Sequence, residues 1–266
     1  MTDLTNGGEE PSKEEIKPFV APCNDLAPFD TFKWLKAGWG DYRAALGLSL
    51  VWGLFFFLLS IGVALTAWKA GGLAWLIGLV SSFVFVAPLL AFAMYAISRK
   101  VCMGAQPTLM NTLRAIKRPI ANSMVFALAL LVLCLLWARA ASMVHIFFPA
   151  TGSARFEDLV LYLGIGSAVG AVFAAIAFTA SVFSLPFIAN RDVDVITAIV
   201  SSVNAVLRNR WTMALWAVMV ATLTAVGFLT AMVGFIVIIP WLGYATWHAY
   251  RAALQVDDWD TLPAGN

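Results

Sequence analysis

Two histidines, three cysteines and one arginine within an apolar run are the residues of this 266-residue sequence that could do chemistry. His145 lies in "WARAASMVHIFF" and His248 in "WLGYATWHAYR". A bis-imidazole haem site needs both rings facing one another at one depth. The spans assigned below put the two histidines near opposite faces of a bilayer, separated by most of its ~30 Å hydrocarbon core. They cannot share a metal within one chain. His248, flanked by Trp247 and Tyr250, therefore reads as an interfacial anchor, together with Trp39, Trp137, Trp241, Trp247 and Arg251. Cys23, Cys102 and Cys134 show no CxxC or other metal-like spacing, so neither a disulfide nor a cysteine metal site is indicated. No GxxxxGK[ST], HExxH or GxSxG occurs. No catalytic, cofactor-binding or metal residue is expected, and the chain is not read as an enzyme.

Arg139, in "LLWARAAS", is a charge toward the outer end of an apolar run. Two readings stand for it: a functional contact to an anion or lipid headgroup, or snorkelling to the interface beside Trp137. Pro88, Pro186 and Pro240 are the other candidate positions. A proline within a membrane helix frees a carbonyl and kinks the helix, and the bend serves as a hinge or simply shapes a bundle.

The elements that position these residues follow from composition. The chain is 61% hydrophobic and 12% charged, with eleven tryptophans, against about 25% charged residues in soluble domains. Several runs reach the roughly 20 apolar residues that cross a bilayer. The fold class is all-α, a polytopic membrane protein with about six spans: 44–67, 73–97, 120–144, 159–188, 211–231 and 232–250. The last two form one run broken around Gly227 to Gly234, which predicts a tight hairpin. The first forty-odd residues are polar and acidic, so the first run reads as an uncleaved anchor. Of seventeen Lys and Arg, three (Lys69, Arg139, Arg155) fall on one side of this parse and the rest on the other. That asymmetry places both termini in the cytoplasm.

Residues 1–28 read as a disordered cytoplasmic tail, 29–254 as the transmembrane domain and 255–266 as a short acidic tail. Three segments carry apolar residues at helical spacing: Phe32, Leu35, Trp39 and Tyr42, then Leu109, Leu113 and Ile116, then Ile196, Ile199, Val200, Val203 and Leu207. Each predicts an amphipathic helix in the membrane surface, the third capped by Asp192 or Asp194. Each precedes a hairpin whose second helix carries one of the prolines, in "VAPLLAF", "SLPFIAN" and "IIPWLGY". This gives three repeats of interfacial helix plus hairpin, about 29–100, 105–190 and 192–252. Gly166, Gly170 and Ala174 form a small-residue face suited to close helix packing.

The stretches "FKWLKAGWGDY", "APLLAFAMYAISRK", "SLPFIANRDVDVITAIVSSVNAV" and "ATWHAYR" resemble an uncharacterised bacterial integral-membrane family, a domain of unknown function. The likeness runs from about Phe29 to Leu254. It implies an inner-membrane protein and supplies no catalytic residues. Some members are labelled as cytochrome c oxidase subunit I, a label that two histidines contradict in this chain.

A non-enzymatic scaffold or accessory protein of the bacterial inner membrane is the leading expectation. A transporter or channel using the Pro-broken helices and Arg139 is the alternative, and a redox-complex subunit is the weakest. Membrane lipids and other membrane proteins are the expected partners, nucleic acid is not, and no cofactor is expected.

Overall fold

Long apolar runs fold as helices because a helix satisfies its own backbone N–H and C=O groups, which hydrocarbon cannot do. The computed structural model describes residues 18–70, 90–117, 120–147 and 156–262, and pairing outside helices among them is confined to isolated bridges. In chain order the helices are α1 (Asp30–Ala44), α2 (Leu46–Ala70), α3 (described over 90–102), α4 (Leu109–Lys117) and α5 (Ile120–Phe147). After these come α6 (Phe156–Ser181), α7 (Ser184–Asn190), α8 (Val195–Arg208), α9 (Arg210–Leu229) and α10 (Phe235–Ala253). A short helix followed by two further helical segments occurs three times, beginning at α1, α4 and α8, with α7 continuing α6.

The architecture is an all-α, polytopic membrane protein. Among the described residues, four stretches are long and apolar enough to cross a bilayer: Leu46–Thr66, Ile120–Met143, Val160–Asn190 and Arg210–Leu229. They correspond to the first, third, fourth and fifth expected spans. Most of the second, with Pro88, lies outside the described residues. The sixth corresponds to α10, whose composition is more polar and whose surface is covered by its neighbours.

α10 is the centre of the fold. Small residues let three helices approach it at backbone distance. A methyl group built on Gly38 of α1 would lie 2.6 Å from the Ala245 nitrogen. One built on Gly243 would lie 2.6 Å from Met94 Cβ on α3. On α2, a methyl at Gly53 would overlap the carbonyl oxygen of Ile236. That carbonyl stands four residues before Pro240, which has no N–H to offer it. Gly53 thus packs its bare Cα against the one acceptor that the proline orphans, a contact of the weak Cα–H to O type. α10 stays continuous through Pro240. Ahead of Pro186 the chain does break: α6 ends at Ser181, Val182 and Phe183 form a turn, and α7, which contains the proline, begins at Ser184.

The α9–α10 hairpin closes as the sequence predicts. Ala231 and Met232 adopt left-handed φ values of 50° and 69°. Gly227 receives the Phe235 ring where any side chain would clash, and Gly234 N–H donates to Thr230 Oγ1 at 2.9 Å.

Each amphipathic helix turns some of its large apolar residues outward. On α1, Phe32 and Trp39 are exposed while Thr31, Trp34, Gly38, Asp41 and Tyr42 are buried. On α8, Ile196 and Leu207 are exposed while Thr197, Ala198, Ser201 and Ser202 are buried. Leu109 and Leu113 of α4 are likewise exposed, over buried Thr112. This is the arrangement expected of helices whose outer solvent is lipid. Asp194 caps α8, its carboxylate accepting from Thr197 N–H at 2.9 Å.

Two segments depart from the expected tails. Residues 18–28, placed by composition in a disordered tail, run across α8, α9 and α10. Ala21 N–H donates to Ser201 Oγ, Leu26 N–H to Asn209 Oδ1, and Asn24 N–H to the Ala253 carbonyl. Residues 255–262 also pack, burying Val256 and Trp259 and bridging Thr261 to Arg191. In both cases backbone groups find partners on helices far away in sequence, a supply that local composition does not reveal.

Candidate functional site

Tyr244, Trp247, His248 and Arg251 recur at i, i+3, i+4 and i+7, so they share one face of α10. That face meets the C-terminal ends of α1 and α3 and the N-terminal end of α2, and the convergence brings four polar side chains together. His248 Nε2 lies 2.8 Å from Asp41 Oδ2 on α1. Ser98 on α3 donates its hydroxyl to the same carboxylate oxygen. Cys102, one turn beyond Ser98, contributes its thiol: one ligating atom each of Asp41, Cys102 and His248 lies within 4.8 Å of the others. Just below, Ser49 and Tyr244 hydroxyls bond at 2.9 Å. An ionised carboxylate only accepts, so with Asp41 charged the hydrogen of this bond sits on His248 Nε2.

Local geometry fixes Cys102 at the end of α3. Ala105 N–H donates to Lys100 O and Gly104 N–H to Val101 O, a Schellman closure with Gly104 at φ 69°. Burial pushes the Cys102 thiol above its ordinary range, as does the Asp41 charge, while Arg251, the Trp247 indole and the Ser98 hydroxyl act in the opposite direction. The Trp247 Nε1 is buried without a full hydrogen bond among the described residues, and it faces this sulfur.

Trp247 also lines a pocket of about 360 Å³. Arg99, Arg191 and Arg251 line it, with Asn190, Trp247 and Tyr250. Asn190 Nδ2 donates to the Tyr250 hydroxyl at 3.0 Å. The C-terminal segment forms the rim, because Arg99 donates to the Leu262 carbonyl at 2.8 Å and Arg191 to the Trp259 carbonyl at 2.6 Å. Arg191 also pairs with Asp257, whose side chain is 97% exposed, and its Nε is buried with no partner among the described residues. Asp257 is the one carboxylate among the lining side chains, so the pocket is strongly basic.

The candidate positions from sequence divide accordingly. Trp247, His248 and Arg251 come together, but two of them are not lipid-facing anchors. Trp247 is buried against Tyr95 and Tyr250, and His248 turns inward to Asp41. A ring next to a buried carboxylate gains more from that bond than from the interface. Trp39 and Trp241 pack edge to face, with Trp241 Nε1 donating to the Leu35 carbonyl, and Trp39 and Trp137 remain about 40% exposed. Arg139 is exposed on α5, near exposed Leu135, Leu136 and Trp137, the surroundings of a snorkelling side chain. Pro186 and Pro240 are buried within their helices. His145's side chain and Pro88 lie outside the described residues. Sequence reasoning missed Asp41, Ser98, Cys102, Arg99 and Arg191. The available signals were Ser98 and Cys102 at i, i+4, and Asp41 as the last carboxylate before Glu157.

No curated protein and no solved structure matches the chain. The match to a known family is narrower than the resemblance in sequence, omitting α1 and α10, which hold Asp41, His248 and Arg251. Residues 76–190, less than half of the chain, match the model of a family described as "Predicted integral membrane protein (DUF2189)", and with the long apolar helices this match makes the chain an integral membrane protein.

Proposed function

We propose that this integral membrane protein is a non-enzymatic accessory protein of the bacterial inner membrane, with both termini in the cytoplasm. Its role is to hold a phosphate-bearing anion at the cytoplasmic boundary, with a phospholipid headgroup as the nearest source. The observation that carries this reading is the convergence of Arg99, Arg191 and Arg251 on one pocket with a single lining carboxylate, Asp257, which pairs with Arg191 at the exposed rim. Guanidinium groups match oxyanions with paired, charge-assisted bonds and keep their charge at any physiological pH. The pocket lies at the end of the helices where most of the chain's basic residues collect, the side that positive-inside asymmetry assigns to the cytoplasm. At that level a lipid phosphate and an arginine meet without either being drawn into hydrocarbon.

The test is the thermal midpoint of the full chain in uncharged detergent. Short-chain phosphatidic acid, short-chain phosphatidylcholine and inorganic phosphate are each titrated in. A bound anion at a hundredfold excess over its Kd stabilises by about 2.7 kcal/mol. Phosphatidic acid is expected to raise the midpoint more than phosphatidylcholine, and Arg251→Gln to reduce the gain. An equal gain with inorganic phosphate assigns the pocket to the free ion. No gain with any anion removes the reading.

A further inference from the structure

We propose that Asp41, Cys102 and His248 form a binding site for a zinc-class divalent metal ion. The three residues come from three helices, α1, α3 and α10, and supply one carboxylate oxygen, one sulfur and one imidazole nitrogen. That mixed set is the ligand chemistry of zinc and its neighbours, whereas calcium and magnesium sites are built from oxygen alone. The ligating atoms lie within 4.8 Å of one another. A tetrahedral zinc with bonds of about 2.0–2.3 Å needs edges of roughly 3.3–3.8 Å. An ion therefore fits after shifts of about an ångström, the Asp41–His248 pair opening from 2.8 Å as the ligands turn toward the metal, within reach of side-chain rotation.

The surroundings are those of an organised metal site rather than a chance surface cluster. Asp41 is buried, at 7% exposure, and its carboxylate is already oriented by the Ser98 hydroxyl, the kind of outer contact that fixes a ligand's direction. The Trp247 indole N–H, buried and without a full hydrogen bond among the described residues, faces the sulfur and suits a metal-bound thiolate. Cys102 is exposed at the end of α3, so an ion has a route in from outside and one coordination position stays open. Three protein ligands and an open fourth position is the arrangement of an accessible zinc site. None of the three ligands lines the arginine pocket, although Trp247 and Arg251 border both regions, and the metal site does not depend on what that pocket holds.

Cobalt(II), which takes zinc's place with a coloured thiolate charge-transfer band, is the probe. The full chain in detergent is stripped with a chelator and titrated with cobalt(II), and zinc is then added to displace it. The expected result is one equivalent of cobalt with a sulfur-to-cobalt band that zinc removes. Cys102→Ser should abolish the band. Asp41→Asn and His248→Gln should each weaken binding at least about tenfold, no less than the loss usual for an outer contact. A chain with Cys23 and Cys134 both replaced by Ser should keep the band. Absence of the band in the wild-type chain, or its persistence in Cys102→Ser, overturns the site. Because Cys102 is exposed, its replacement by Ser leaves the core intact, and far-UV circular dichroism of that variant should match wild type.

Discussion

The bundle around α10 and the α5–α6 hairpin both contain long apolar helices, yet they use them in opposite ways. α10 buries residues along its whole length, from Phe235 to Ala253, and takes glycine contacts from α1 and α2. The most apolar 18-residue window of α6 buries nothing within the chain, and that of α5 only 17%. Gly53 and Gly38 are pressed against backbone, whereas Gly164 and Gly166 have no atom within 4 Å of a built methyl. Polar side chains follow the same division: Asp41, Ser98 and His248 converge on α10, while Arg139 stands exposed on α5. The lesson is that apolar helices become a site only where small residues let backbones close in and carry polar groups together. Elsewhere they are surface for lipid.

The largest effect that sharpens this contrast comes from tryptophan. Trp247→Ala opens a cavity among Tyr95, Tyr250 and the cluster, and is expected to cost about 3–5 kcal/mol. Trp137→Ala, at 39% exposure, should stay within about 0.5 kcal/mol. Chemical denaturation in detergent followed by tryptophan fluorescence would measure both, and equal losses would erase the distinction between the regions. Glycine comes next. Gly53→Ala forces a methyl onto the Ile236 carbonyl and should cost about 1–3 kcal/mol. Gly166→Ala should cost nothing measurable, read as thermal midpoints of the two variants side by side.

A smaller effect lies at the α8 cap. Asp194→Ala removes the acceptor of Thr197 N–H and is expected to cost about 1 kcal/mol. Burial alone would raise the Asp194 carboxyl, but hydrogen bonds from Thr197 and the neighbouring amides hold it below its ordinary value. The sign follows from that depression. The cap's contribution is present above the unfolded-state pKa, near 3.9, and is lost as pH falls through the lower folded value. The difference between wild type and Asp194→Ala should therefore shrink only below about pH 4. The smallest effect is Arg139→Ala, expected within about 0.5 kcal/mol. A loss of several kcal/mol at this position, read in the same denaturation series, would mean that the hairpin is partnered rather than lipid-facing.

Local pattern carries most of the fold. The runs that become α2, α5, α6 and α9, the break at Gly227 to Gly234 and the Asp194 cap all rest on neighbours within a few residues. The helices α1, α4 and α8 were legible for the same reason, but the face expected on α1 is split, because Tyr42 is buried while Phe32 and Trp39 are exposed. The site was not legible. Asp41 and His248 stand 207 positions apart, and Arg99 and Arg251 meet only because α3 and α10 end at one level. His248 among aromatic residues looks like any member of an interfacial belt until α1 brings a carboxylate to it. The packing of 18–28 is hidden similarly, because Ser201 and Asn209, which hold its backbone, belong to α8 and its boundary with α9.

The arginine pocket carries the proposed function, and native mass spectrometry of the full chain tests it directly. The protein would be released from nanodiscs holding phosphatidic acid and phosphatidylcholine in equal amounts. The account predicts one retained phosphatidic acid on the wild-type chain and its loss from Arg251→Gln, with other bound lipid unchanged. An identical lipid complement on both chains, or no preference for the anionic lipid, would contradict it.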